Sequence, residues 1–130
     1  ADFLVRSGID IIQLTLLTPL PGTELIEDLQ KHGRVIYNDY PQDWDKYRFS
    51  YMVHRPREVQ PKTIYIGNNY IKKRIYSFPV YQYRLLKSFF NLNNNSNFFA
   101  TYKFNKALKK GWQNSHYYQD YPSDLNASEE

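Results

Sequence analysis

The chain has 130 residues, a formal net charge of +4 and no cysteine, with 13 tyrosines and 8 phenylalanines. Without thiols it has neither a disulfide framework nor a thiolate set for an iron–sulfur cluster. No apolar run reaches the roughly twenty residues that span a bilayer and none resembles a secretory leader, so the cytoplasm is the expected compartment.

In chain order, Ala1 to Ser7 reads as the end of a helix begun upstream, with Gly8 as its stop. Ile11 to Leu17 is a short, nearly continuous apolar run, the pattern of a strand covered on both faces in a parallel sheet. Side chains alternate along a strand, so Gln13 and Thr15 share a face with Ile11 and Leu17, opposite Ile12, Leu14 and Leu16. Those two polar groups are either satisfied core polars or the lining of a ligand site. Pro19 and Pro21 stiffen the exit from the strand, Gly22 lets the backbone bend, and Thr23 is a good N-cap for a helix from Glu24. Glu24, Glu27 and Asp28 suit that helix's first turns, Lys31 and His32 its last, and Gly33 its stop.

Val35 to Gln42 is expected to be extended and to end in an Asn-Asp-Tyr-Pro turn. From Tyr47 to Val53 aromatic and polar residues alternate with period two, which predicts an edge strand or an extended arm. Pro61 opens a helix in which Ile64, Gly67, Ile71, Ile75 and Phe78 recur at three- and four-residue steps, with Pro79 ending it. Gly67 inside that helix predicts close packing against a neighbour. A shorter helix is expected over Tyr81 to Phe90, an Asn-rich linker over Asn91 to Asn97, and a last helix from Phe98 to Lys110 stopped by Gly111. The organisation read this way is 1–34, 35–58, 59–112 and a polar tail at 113–130.

The stretch Gly8 to Leu25, with its Thr18-Pro-Leu-Pro-Gly-Thr23 turn, then His32-Gly33-Arg34-Val35, Asp43-Trp44-Asp45-Lys46-Tyr47 and Arg55-Pro56, resembles the cobalamin-binding class of radical S-adenosylmethionine (SAM) enzymes. Relatives of anaerobic magnesium-protoporphyrin ester cyclase and of hopanoid-modifying enzymes belong to that class, and the likeness covers roughly the first eighty residues. It implies an α/β fold: the terminal strand–helix unit of a partial (β/α) barrel, followed by a mainly helical C-terminal extension. It also implies a parent enzyme that cleaves SAM at a 4Fe-4S cluster, with cobalamin, for methylation or other radical chemistry at an unactivated carbon. Its substrate would be a small or lipid-like molecule. The family's Cys-x-x-x-Cys-x-x-Cys loop and its Asp-x-His-x-x-Gly cobalamin pattern are both missing here. The chain alone therefore holds none of these cofactors, and a preceding part of the same protein would carry them. What it would supply is SAM-side lining from Gln13, Thr15, Thr18, Pro19, Leu20, Pro21, Gly22 and Thr23, and substrate-side candidates in Trp44 and Arg55.

The residues support no catalytic or metal assignment of their own. His32, His54 and His116 are widely separated, and no serine sits in a nucleophile-elbow context. A second reading comes from charge. Between Val59 and Gln119 no acidic residue occurs, while Lys62, Lys72, Lys73, Arg74, Arg84, Lys87, Lys103, Lys106, Lys109 and Lys110 interleave with tyrosines and phenylalanines. Such a stretch is a solvated helical face, a basic aromatic module for an anionic membrane surface, or one for single-stranded nucleic acid.

Overall fold

The computed structural model describes residues 1–114. Among the described residues five α-helices are formed: α1 (Asp2–Arg6), α2 (Glu24–Lys31), α3 (Pro61–Tyr76), α4 (Phe78–Asn91) and α5 (Asn95–Asn114), with a 3-10 turn over Gln42–Lys46 between α2 and α3. Among the described residues there is no strand, and the one ladder contact is an isolated antiparallel bridge between Val35 and His54. The chain divides into two compact units, residues 1–14 with 66–114, and residues 15–65.

This overturns the expected α/β class and with it the strand–helix unit of a barrel. Ile11 to Leu17 keeps a two-residue alternation: Ile12 and Leu16 are buried, Leu14 half-buried, and Ile11, Gln13, Thr15 and Leu17 exposed. Alternation alone does not make a strand. A strand exists by exchanging N–H and C=O groups with a neighbour along its length, and this run makes one such backbone bond, from Leu16 N–H to Phe49 O at 2.7 Å. Nor are both of its faces covered. The apolar composition that suggested a doubly buried strand is spent on one buried face and one exposed face.

In residues 15–65 the core is Leu16, Tyr37, Tyr51, Met52, Val53 and Tyr65, with Ile36, Tyr47 and Ile64 packed against it. Ser50 to His54 are buried consecutively, so the period-two arm read from Tyr47 to Val53 does not form. The chain turns there instead, with Tyr51 N–H on Arg48 O, and Tyr65 Oη accepts from Met52 N–H at 2.7 Å. Ile36 N–H to Val53 O and Arg55 N–H to Arg34 O flank the single bridge.

α2 is stopped at both ends by its own sequence. Thr23 Oγ1 accepts from Ile26 N–H, and past the helix Gly33 N–H bonds Gln30 O while Arg34 N–H bonds Leu29 O. That pair is a Schellman motif, which requires a left-handed residue between them, and Gly33 has φ +64.

In the other unit Ile12, Ile75, Tyr76 and Tyr81 form the core, with Leu4, Val5, Ile71, Leu85, Leu108 and Trp112 around it. Trp112 stacks on Tyr76 at 5.9 Å. Three boundaries differ from expectation. Pro79 does not end α3 but sits in the first turn of α4, where its missing N–H has no helical partner to lose. Asn94 accepts from Ser96 N–H at 2.8 Å, so the linker shrinks and α5 begins at Asn95. α5 also runs through Gly111 to Asn114. Of the expected polar tail at 113–130, all but the first two residues lie outside the described residues, as does His116. Gly67 faces open space, since a Cβ there meets nothing within 4 Å; the predicted close approach is absent.

Two glycines should therefore respond in opposite directions. Gly33→Ala is expected to lower the unfolding free energy by about 1–2 kcal/mol through its left-handed backbone. Gly67→Ala is expected to raise it by about 0.4–1 kcal/mol. Urea titration of the two variants checks both signs.

Candidate functional site

The Thr18–Thr23 turn is built from local rules. Pro21 and Gly22 occupy the central positions of a turn closed by Thr23 N–H on Leu20 O at 3.3 Å, and Gly22 has φ +78, the type II arrangement. Thr23 Oγ1 donates to Leu20 O at 2.6 Å. Pro19 is fully buried, and buried Thr18 donates from Oγ1 to Arg48 O at 3.1 Å. Of the sequence-predicted lining residues, Thr18 and Pro19 thus serve packing, whereas Gln13, Thr15, Leu20, Pro21, Gly22 and Thr23 are exposed.

The Asp43–Tyr47 segment folds into the 3-10 turn. Asp43 Oδ2 accepts from Asp39 N–H, and its Oδ1 pairs with Lys46 Nζ, both at 2.9 Å. Lys46 Nζ lies 4.2 Å from the centre of the Tyr37 ring. Trp44 is half exposed in an aromatic cluster, 5.0 Å from Tyr40 and 5.9 Å from Tyr47. Tyr40 Oη donates to Tyr47 Oη at 2.7 Å, and Tyr47 Oη donates to Tyr37 O at 2.8 Å. Burial, followed by the bond to Tyr40, pushes the Tyr47 phenol well above its ordinary range. Arg55 is exposed, and its carbonyl accepts from Arg34 Nε at 2.8 Å. Next to it His54 is buried; desolvation, then the Arg34 charge, lowers its pKa, and its Nδ1 has no hydrogen-bond partner among the described residues. The turn and the aromatic cluster belong to one unit, joined through Thr18 and Arg48.

The other unit shows what the sequence concealed in its basic run. Lys72 and Arg84 are buried rather than solvated. Desolvation brings the Lys72 amine down to about 8 and lowers the Arg84 guanidinium. Arg84 donates to Ile75 O and Asp10 O, Asn105 Nδ2 donates to Asp10 O at 2.8 Å, and Ser88 Oγ donates to the Asp10 carboxylate. In contrast, Lys103, Lys106 and Lys110 stay exposed on α5. A hollow of about 380 Å³ between α4 and α5 is lined by Gln82, Leu85, Leu86, Phe89, Phe98, Phe99 and Tyr102. Tyr102 also walls a second hollow of about 360 Å³, with Tyr81, Lys106, Lys109, Lys110 and Gln113. α-Helical spacing of Phe99, Tyr102 and Lys106 was readable, but which cations would be buried was not.

Cluster chemistry does not fit the residues present. There is no cysteine, and among the described residues no three His, Asp or Glu side chains converge as metal ligands. No helix among them is long and apolar enough to cross a membrane. No family model, curated protein or solved structure matches the chain.

Two outcomes test these sites. Lys46 holds the Asp43 carboxyl below its ordinary range, so its contribution is complete above about pH 4 and is lost as pH falls through the lowered value. The stability gap between wild type and Asp43→Asn, open at pH 6, should close toward pH 2 in pH-dependent thermal melts. Asn105→Ala removes the amide that donates to Asp10 O and Thr101 O and should cost about 1–3 kcal/mol in denaturant titration.

Proposed function

We propose that this chain acts as the C-terminal part of a radical SAM enzyme of the cobalamin-binding class, whose cluster and cobalamin are held by a preceding part of the same protein. The observation that carries the reading is the pairing, in one sequence, of Thr18-Pro-Leu-Pro-Gly-Thr23 behind an apolar run with Asp43-Trp44-Asp45-Lys46-Tyr47 and Arg55-Pro56. The contact of Thr18 Oγ1 with the carbonyl of Arg48, the residue that follows the second stretch, supports the reading, since both stretches lie in one unit.

In this reading no step of radical chemistry belongs to the chain's own side chains. Their part is recognition. Gln13 and Thr15 present an amide and a hydroxyl from the exposed side of the Ile11–Leu17 run. Such groups suit the ribose hydroxyls and the carboxylate of SAM. The Leu20–Thr23 turn contributes backbone groups ahead of the α2 N-terminus, which favours negative charge. Trp44 offers an exposed ring, and Arg55 a cation able to pair with a carboxylate or phosphate of the substrate.

The first check is the coding sequence upstream of Ala1. An open frame with a Cys-x-x-x-Cys-x-x-Cys loop is expected, and a start signal directly before Ala1 without such a loop overturns the reading. In the reconstituted full-length enzyme, Gln13→Ala with Thr15→Ala should weaken SAM binding by about tenfold, the effect of two modest hydrogen bonds. Unchanged binding by isothermal calorimetry removes these residues from the SAM side.

A further inference from the structure

We propose that the α4–α5 hairpin is a docking surface for an anionic lipid bilayer, an inference that does not rest on the radical-enzyme reading. Sequence charge sets the sign of the partner: from Val59 to Asn114 there is no acidic residue. On α5, Lys103, Lys106 and Lys110 are exposed and recur at three- and four-residue steps, so they share one face. Phe99 and Tyr102 continue that face toward the helix N-terminus. The C-terminal end of a helix carries partial negative charge, so attraction for an anion there comes from the lysines alone.

The apolar half is too exposed for an ordinary surface. Leu86 is 59 % exposed and Phe99 60 %, and together with Phe89 they line the hollow between α4 and α5; Phe90, 71 % exposed, packs edge-on against Phe89 at 5.6 Å. Clustered exposed apolar groups of this kind mark an interaction surface rather than chance. Tyr102 walls both this hollow and the lysine-lined one, so the apolar and cationic areas are continuous.

Their arrangement distinguishes a bilayer from a nucleic acid. Single strands are bound by ring faces set between phosphate-tracking cations. Here Phe89, Phe98 and Phe99 gather at one end and pack edge-to-face on one another, Phe89 against Phe98 at 5.2 Å and Phe98 against Phe99 at 5.9 Å. The exposed lysines lie toward the other end. A membrane interface is segregated in the same way, acyl chains below and phosphates above. From Phe99 to Lys110 the helix rises about 16 Å. A tilted α5 can thus sink its rings about 5–10 Å to the acyl boundary while the lysine stems reach back to the phosphates.

The test uses the full 130-residue chain and vesicle flotation. Vesicles of phosphatidylcholine with about one quarter phosphatidylglycerol should carry the protein at low ionic strength. Pure phosphatidylcholine vesicles should not, and about 0.5 M salt should release it. Lys103→Gln, Lys106→Gln and Lys110→Gln together should lower partitioning by about a hundredfold. Leu86→Ser with Phe99→Ser should lower it by about tenfold or more. All five positions are exposed, and unchanged circular dichroism establishes that each variant is folded. Absent vesicle binding, or binding undiminished by the triple lysine variant, overturns the proposal. Capture of a polyuridine oligonucleotide without vesicle binding does so too and transfers the surface to nucleic acid.

Discussion

One peptide carbonyl ties the helical unit together. Asp10 O accepts from Arg84 on α4 and Asn105 on α5, while the Asp10 carboxylate takes the Ser88 hydroxyl. Three points on two helices converge on one residue of an otherwise irregular segment. A buried guanidinium is costly unless carbonyl or carboxylate oxygens meet it. Arg84 finds them at Ile75 O and Asp10 O, close to the packed Tyr76 and Tyr81 rings. Holding Asp10 there also places Ile12 two residues on, in the core with Ile75, Tyr76 and Tyr81.

The two units are stabilised by different physics. Residues 15–65 depend on aromatic side chains whose hydroxyls are used internally: Tyr65 on Met52 N–H, Tyr47 on Tyr37 O, Tyr40 on Tyr47. Tyrosine buries a large ring and still satisfies a backbone group at its far end. That lets a segment without strands close a core. The helical unit buries aliphatic and aromatic faces in the usual way and leaves much aromatic surface on α4 and α5 outside. Stability alone does not explain that surface, since each exposed ring forgoes about 25 cal/mol per Å² of burial.

The residues of the two proposals divide along the same line. The turn at Thr18–Thr23 and the Asp43–Tyr47 segment are each held by hydrogen bonds, Thr18 to Arg48 O and Asp43 to Asp39 N–H and Lys46. In the proposed function, recognition there falls to exposed groups such as Thr15, Trp44 and Arg55. On α4 and α5 the chemistry is collective, drawn from charge sign and the ordering of apolar and cationic residues along one helix face.

Local features were legible in the sequence. The N-cap Thr23, the bend at Gly22 and the Gly33 stop follow from covalent preferences and bonds within a few residues, and they appear where the residues dictate. The alternation along Ile11–Leu17 was legible too, because side-chain direction is a local property of extended backbone. Whether that run pairs into a sheet was not, because pairing needs a neighbour that local sequence does not specify, and among the described residues no sheet is built. Helix ends at Pro79, Asn94 and Gly111 were misjudged for a related reason: each residue stops or starts a helix according to what lies beside it. Only the tertiary structure decided which basic residues go inside. Lys72 and Arg84 lie in the same acid-free run as Lys106 and Lys110, yet the packing of α3, α4 and α5 desolvates the first pair and leaves the second in water.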